Sequence, residues 1–185
     1  MPNSVKHLNR EELETGLTQL ASPQDDGVLD LIVRRPTIGA REVLTTGALD
    51  LREGLVGDNW MTRGSSRTPD KTSHPHMQLN VMNSRVIQLI AQQKERWPLA
   101  GDQLFVDLDL SDGNLPPGAR LVIGTAIIEV TPEPHTGCAK FVERFGVEAM
   151  KFVNSPTGRA LRLRGLNARV VQPGTIRVGD PVKKS

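Results

Sequence analysis

The sequence predicts a mostly-β fold closed as a barrel, with a few helices added. Three observations carry this. Short apolar segments rich in Val, Ile and Leu recur along the chain, and Gly or Pro (17 and 13 residues) separates nearly all of them. The hydrophobic inventory is almost wholly aliphatic, with four Phe, two Trp and no Tyr. Many short strands punctuated by turn residues suit a β-barrel better than an alternating α/β fold. The 185 residues fit one domain and can bury a real core.

Taken in order, Leu8, Leu13, Leu17 and Leu20 recur at helical spacing over residues 8–20, and Ser22 to Gly27 breaks the chain. Residues 1–27 therefore read as a helical appendage, and 28–182 as the barrel. Val28 to Arg35 is the first expected strand, stopped by Pro36; Arg41–Thr45 and Leu49–Leu51 are the next two. Residues 62–75 are polar and read as a long loop carrying Arg63, Arg67, Lys71 and His74. Met77, Leu79 and Val81 alternate as in a half-buried strand. Asn83 or Ser84 then caps a helix expected to run to about Arg96, before Pro98. Leu104–Leu110 alternates apolar and acidic residues. Arg120–Val130 is the strongest strand signal. From Cys138 to Val153 the pattern is helical again, with Phe141, Phe145, Ala149 and Phe152 on one face and Gly146 dividing two short helices. Ala160–Arg164, Asn167–Val171 and Thr175–Val178 read as the closing strands.

Composition excludes several functions. A net charge of +2 and so few aromatics argue against nucleic acid, since no stacking platform is available. A single cysteine rules out an internal disulfide and the paired spacings of a zinc site. No apolar run approaches the ~20 residues that cross a bilayer, and Met1-Pro2-Asn3-Ser4 offers no signal core, so the expectation is a cytoplasmic protein that engages no membrane. Charge is uneven, however. From Cys138 onward ten Lys and Arg face only Glu143, Glu148 and Asp180, which reads as either a solvated basic face or a site for an anion.

The segment Thr131 to Phe141 concentrates the reactive groups. Cys138 follows a strand and a Gly and opens a helix, with Lys140 and Arg144 nearby, a setting that favours thiolate as nucleophile or soft metal ligand. A buried, inert cysteine is the alternative. His135 is a candidate acid or base for Cys138, or a turn residue; spacing identifies no Asn or Asp partner for it. His74 and His76 straddle Pro75 as weak candidates for metal ligation. Arg162 and Arg164 flank Leu163, which on a strand puts both on one face; with Arg159 before them and Arg169 after, they read as phosphate ligands or as a charged strand edge.

These residues resemble the MOSC domain, the module related to the C-terminal part of molybdenum cofactor sulfurases. Val130 through His135-Thr136-Gly137-Cys138-Ala139-Lys140-Phe141 to Arg144-Phe145-Gly146 is similar to the family's cysteine motif. Arg162-Leu163-Arg164-Gly165 and Gly174 to Asp180 resemble its ending, and Gly54-Leu55-Val56-Gly57-Asp58, followed by Arg63-Gly64, its Gly-Leu-x-Gly-Asp element. Where many relatives carry His-Gly-Gly, this chain has Ser73-His74-Pro75-His76. The resemblance covers roughly residues 28–182 and implies a stand-alone MOSC-type β-barrel that binds molybdenum cofactor (molybdopterin). Cys138 would then be a molybdenum ligand or a persulfide sulfur carrier, and Arg63, Lys140, Arg144, Arg159, Arg162 and Arg164 would receive the anionic cofactor. The activities it implies are sulfur transfer or molybdenum-dependent reduction of N-hydroxylated compounds. A non-catalytic barrel binding a phosphorylated ligand or a protein is the alternative. No pyridoxal phosphate domain is recognisable, so a cysteine desulfurase would have to supply sulfur; a reductase would need an electron-donor protein.

Overall fold

Strand β1 (Asp26–Arg34) anchors the architecture because it pairs along both edges. One edge lies antiparallel to β6 (Leu104–Asp107). The other is shared: β11 (Pro181–Lys184) takes Asp26 to Val28, and β2 (Glu42–Leu44) takes Ile32 to Arg34. Beyond β6 come β5 (Leu79–Asn83), β9 (Leu166–Gln172), β8 (Ala126–Val130) and β7 (Arg120–Ile123), and β7 pairs with β11 to close a seven-stranded barrel. A smaller sheet of β10 (Gly174–Arg177), β3 (Thr46–Asp50) and β4 (Gly54–Leu55) packs alongside. This computed structural model describes residues 5–185; residues 1–4 of the expected appendage, and the reading made of them, lie outside the described residues.

The core has two compartments, and the scarcity of aromatics explains their difference. The barrel interior, including Leu29, Ile32, Val81, Leu104, Ile128, Ala168 and Val182, is entirely aliphatic. All four Phe and Trp97 lie in a second layer, where helices cover the outer face of the sheet at Leu31, Val33, Met82 and Phe105. Because β1 is covered on both faces, Leu31-Ile32-Val33 is a continuous apolar run rather than an alternating one. The covering helices are α1 (Arg10–Thr18), α3 (Ser84–Ala91), α4 (Ala139–Phe145) and α5 (Val147–Asn154). Asn9 and Glu12 form a reciprocal capping box at α1, and Leu13 is buried among α3 and α5. The connection through α3 makes β5 and β6 the parallel pair of the barrel.

The mostly-β barrel expected from sequence is what forms, and most strands fall where they were read. Four local differences have clear causes. Arg120–Val130 is a hairpin, β7 and β8, because Gly124 turns the chain at φ 56 against Thr175. The helix after Asn83 stops at Ala91, where Gln92 takes a left-handed conformation; Pro98 then sits inside a following 3-10 helix, Lys94–Ala100. Ser155 caps a short helix α6 (Pro156–Ala160), and its turns continue through Leu163 N–H to Gly158 O, so Ala160–Arg164 is no strand. The strand β11 was unread, its Pro181-Val182-Lys183-Lys184 too short and charged to stand out. The other short helix, α2 (Trp60–Arg63), opens the polar loop.

Gly165 shows how closely turn and barrel approach. It holds φ 105, and a Cβ there would lie 2.3 Å from Val81 O. Gly118 has a similar φ of 91 but nothing within 4 Å of that position. Gly165→Ala should cost about 2–4 kcal/mol and Gly118→Ala about 1 kcal/mol, since only the first adds a backbone collision to the unfavourable φ. Urea midpoints of the two variants check this; equal losses would show that the close approach relaxes.

Candidate functional site

A row of buried polar residues crosses one end of five neighbouring strand segments. Val33 N–H donates to Gln103 O, Gln103 N–H to Asn80 O, and Thr131 N–H to Asn167 O, while Asn80 lies opposite Asn167 in the ladder. Their side chains continue the row. Arg35 donates to both oxygens of Asp58 (2.9 and 2.7 Å) and to Asn80 Oδ1 (3.1 Å); Asn80 Nδ2 donates to Asn167 Oδ1 (2.6 Å), and Asn167 Nδ2 to Glu133 O (3.0 Å). Asp58, from the Gly-Asp element, accepts in addition from Arg35 N–H, Trp60 N–H and Gln103 Nε2. Burial opposes its charge, but Arg35 and these N–H groups hold its carboxyl below the usual range.

Beside this row Asp102, with no exposed surface, joins two more side chains. Arg164 Nη1 donates to Asp102 Oδ2 at 2.7 Å, and His135 Nε2 lies 2.9 Å from Oδ1. Burial opposes ionisation of Asp102 as well, yet Arg164 and His135 outweigh it and keep the carboxyl depressed. Burial first, then the Arg164 charge, pushes the His135 imidazole below its ordinary value, and Asp102 offsets this only in part. At neutral pH His135 is therefore neutral, and Arg164 supplies the charge that balances Asp102. A carboxylate only accepts, so Nε2 must carry the ring proton. Nδ1, which makes no hydrogen bond within the described residues, is left as the basic lone pair. His135 and Arg164, with Asp102 enclosed behind them, border a cavity of about 290 Å³ that Thr131, Glu133, Thr136, Arg159 and Arg162 also line. Arg164 Nε is buried there without a partner.

The chain leaves this cavity wall and reaches Cys138. Asn154, at the end of α5, clamps the preceding peptide: Gly137 N–H donates to Asn154 Oδ1 (2.9 Å) and Asn154 Nδ2 to Gly137 O (3.0 Å). Cys138 occupies the cap position of α4 with its side chain making no capping bond, and it is exposed. A thiol so placed is open to solvent while its backbone is held from behind.

Residues 74–183 match the MOSC domain family. The chain belongs to that family. Solved structures share its fold. YuaD protein from Bacillus subtilis superposes with a TM-score of 0.61 at 16% identity, over 86% of this chain and 95% of that one. YiiM from Escherichia coli gives 0.55 at 20% identity, over 85% and 69% respectively. YiiM from Geobacillus stearothermophilus gives 0.53 at 14%, over 86% and 73%. At such identities the likeness concerns the fold alone. No curated protein matches the chain significantly.

Within this MOSC barrel the residues singled out by sequence separate into groups. His135, Arg159, Arg162 and Arg164 gather at the cavity. Cys138, Lys140 and Arg144 lie along the start and length of α4, and Arg63 ends α2. The reading of Arg162 and Arg164 as exposed neighbours on a strand face is corrected. Arg162 sits in a turn at φ 48, paired with Asp112 at 2.8 Å and donating to Leu115 O; Arg164 is buried against Asp102 and stacks over Phe141. Arg159 donates to Asn154 O. The polar loop is tied to the cysteine segment, since Arg67 pairs with Glu133 at 2.5 Å and His74 lies 3.7 Å from the same carboxylate. His74 Nδ1 accepts from His76 N–H, and no group of three His, Cys, Asp or Glu able to hold a metal occurs among the described residues. None of the helices described is long and apolar enough to cross a membrane. Sequence reading missed Asp102, the partner of His135, and Asn154. The Gly101-Asp102 dipeptide, a second Gly-Asp, was the one available signal for the former.

His135 has a folded-state value below its unfolded one, so the unfolded chain binds the proton first as pH falls. Stability should therefore be fully present above about pH 6.5 and decline below it, by up to about 1.4 kcal/mol per pH unit. Asp102 adds its own loss only at more acid pH, below about 3.9. Urea midpoints between pH 7.5 and 5 test this, with His135→Asn expected to flatten the slope in that interval. An unchanged slope in the variant would assign the acid loss to other groups.

Proposed function

We propose that this MOSC domain holds a molybdenum cofactor, with Cys138 as molybdenum ligand or as carrier of sulfur in persulfide form. The observation that carries this is the single cysteine of the chain, exposed at the rim of α4 on a backbone clamped by Asn154. A buried structural thiol would be enclosed by side chains; this one is presented. The donor set fits the group, because thiolate is the soft ligand that a metal or sulfane sulfur requires. Basic side chains at Lys140 and Arg144 of the same helix suit its anionic character. When bound, the cofactor would supply the metal centre for redox or sulfur chemistry. The chain's own part is to present Cys138, to exclude water from the Asp102–Arg164 pair, and to hold the proton of His135 on Nε2, leaving Nδ1 able to accept one.

Cys138→Ser should remove both forms of chemistry while leaving the fold intact, since the native sulfur makes no capping bond and Ser is accepted at a helix cap. Elemental analysis and pterin fluorescence on protein from a cofactor-producing host should show molybdenum in the native chain and a large loss in the variant. Mass spectrometry after incubation with a cysteine desulfurase and cysteine separates the two roles. A carrier gains a reducible sulfur whether or not cofactor is present; a ligand gains it only without cofactor. Full cofactor content in the Ser variant, with no sulfur gained by the native chain, would make Cys138 a bystander.

A further inference from the structure

A groove of about 400 Å³ is bordered by α3, Leu20 just past α1, Trp97, and the strands β1 and β6. No residue of the cysteine segment or of α4 lines it. Leu20, Leu89 and Trp97 form its apolar wall. Gly16 lets α1 settle on α3 here, because a Cβ at that position would collide with the end of the Leu89 side chain. Two of the polar groups in the groove are satisfied within the fold. Trp97 Nε1 donates to Gln88 Oε1 at 3.1 Å. Arg85 clasps both oxygens of Asp107, at 2.8 and 2.9 Å, so that pair of charges cancels.

Two others, Asp30 and Ser84, are left open. Leu29 pairs with Val106 and Leu31 with Phe105, so Asp30 is the extra residue of a β-bulge and opposes nothing on β6. On the other edge of β1, pairing with β11 stops at Val28 and pairing with β2 begins at Ile32. Leu29 packs inside the barrel and Leu31 in the outer layer, although residues two apart on a regular strand share a face. The bulge at Asp30 makes that change. Asp30 is partly buried and makes no hydrogen bond or ion pair among the described residues; the other side-chain carboxylates without one, Glu11, Glu53, Glu95 and Glu143, are exposed. Arg85 feels the Asp30 charge but is already engaged by Asp107. Ser84, the first residue of α3, is 4% exposed, and its hydroxyl is buried without a partner. An orphaned buried hydroxyl is a cost that a ligand's donor removes.

An open carboxylate and an open hydroxyl beside an apolar wall suit one ligand chemistry. The carboxylate only accepts hydrogen bonds and the hydroxyl can accept them, so the ligand brings N–H donors and a positive charge. Lys94 Nζ already lies 5.3 Å from the centre of the Trp97 ring, which leaves Asp30 as the seat for that charge. The volume suits a single ring on a short arm. We propose that this groove binds a small primary amine, with its ammonium on Asp30, its apolar body against Leu20, Leu89 and Trp97, and the Ser84 hydroxyl as a second acceptor. The site shares no residue with the cofactor reading and stands whether or not that reading holds.

Trp97 reports on its own groove. It and Trp60 are the two tryptophans of the chain, and Trp60 Nε1 has no hydrogen bond to lose, so Trp60→Phe leaves Trp97 as the sole emitter. Titration of the native protein and of this variant with phenethylammonium should give a saturable change in emission, with an affinity of roughly millimolar or better. Asp30→Asn should weaken binding about tenfold or more, and Ser84→Ala about threefold. Phenethyl alcohol, which has the same body without the charge, should bind the native protein about tenfold more weakly. That comparison holds even if the Asp30 variant fails to fold. Methylammonium, the charge without the body, should give no saturable change. Glu95→Gln, at an exposed carboxylate of the neighbouring 3-10 helix, should leave the affinity unchanged. No saturation by phenethylammonium, or equal binding of the alcohol, would overturn the site. A loss in Glu95→Gln as large as that in Asp30→Asn would do so too, because the attraction would then be diffuse. Sedimentation of the native protein covers the remaining occupant: a dimer that Asp30→Asn weakens would assign the groove to a second copy of the chain and overturn the amine site.

Discussion

The constraint on which this barrel depends is the enclosure of two carboxylates, Asp58 and Asp102, at one end of it. Each has no exposed side-chain surface, and each is matched by a buried arginine, Arg35 or Arg164. Removing such charges from water is expensive, and the return comes only when every remaining oxygen and N–H is also satisfied. Apart from Arg164 Nε, which has no partner among the described residues, that requirement is met by chain segments far apart in sequence. Asp58 needs Arg35 and Gln103; Asp102 needs Arg164 and His135; Asn80 and Asn167 carry the first centre across the strand ladder to Glu133 O. Loss of one partner would leave an uncompensated charge in a low-dielectric interior, so the network favours one registration of these strands over its alternatives.

This network also divides the charged residues into those that serve the fold and those that remain for a ligand. Arg35, Arg162 and Arg164 are anchored and matched. Cys138 is the opposite case, an exposed group whose backbone is fixed by Asn154 and whose helix packs through Phe141 and Phe145. A reactive group benefits from that combination, because its position is determined while its reaction face stays open. His135 stands between the extremes: one ring nitrogen is committed to Asp102, and the other makes no hydrogen bond among the described residues.

The all-aliphatic interior and the aromatic outer layer fit the same division. A narrow barrel is filled by branched aliphatic side chains from alternate positions of its strands, which leaves no room for rings. The few aromatics instead fix the helices that carry the functional segments, and Phe141 gives Arg164 a ring to lie over, 5.0 Å from guanidinium carbon to centroid. Helix α4 carries Cys138 at its start and Arg144 in its last turn.

Taken alone, the sequence determined the properties that rest on local pattern. Gly and Pro spacing with aliphatic runs announced the barrel; Asn83 and Gly146 marked helix ends; and the position of Cys138, after a strand and at a helix start, was legible because its setting is written in adjacent residues. Pattern misled where two structures share one signature. Arg162-Leu163-Arg164 alternates like a strand but is a turn that follows a capped helix, and its charges looked free because their acids, Asp112 and Asp102, lie some fifty and sixty residues away. Tertiary structure alone decided which charges are matched. It gave His135 its aspartate and seated Asn154 behind Cys138. Ion pairing depends on distances set by strand register and barrel closure, and spacing along the chain carries no record of them.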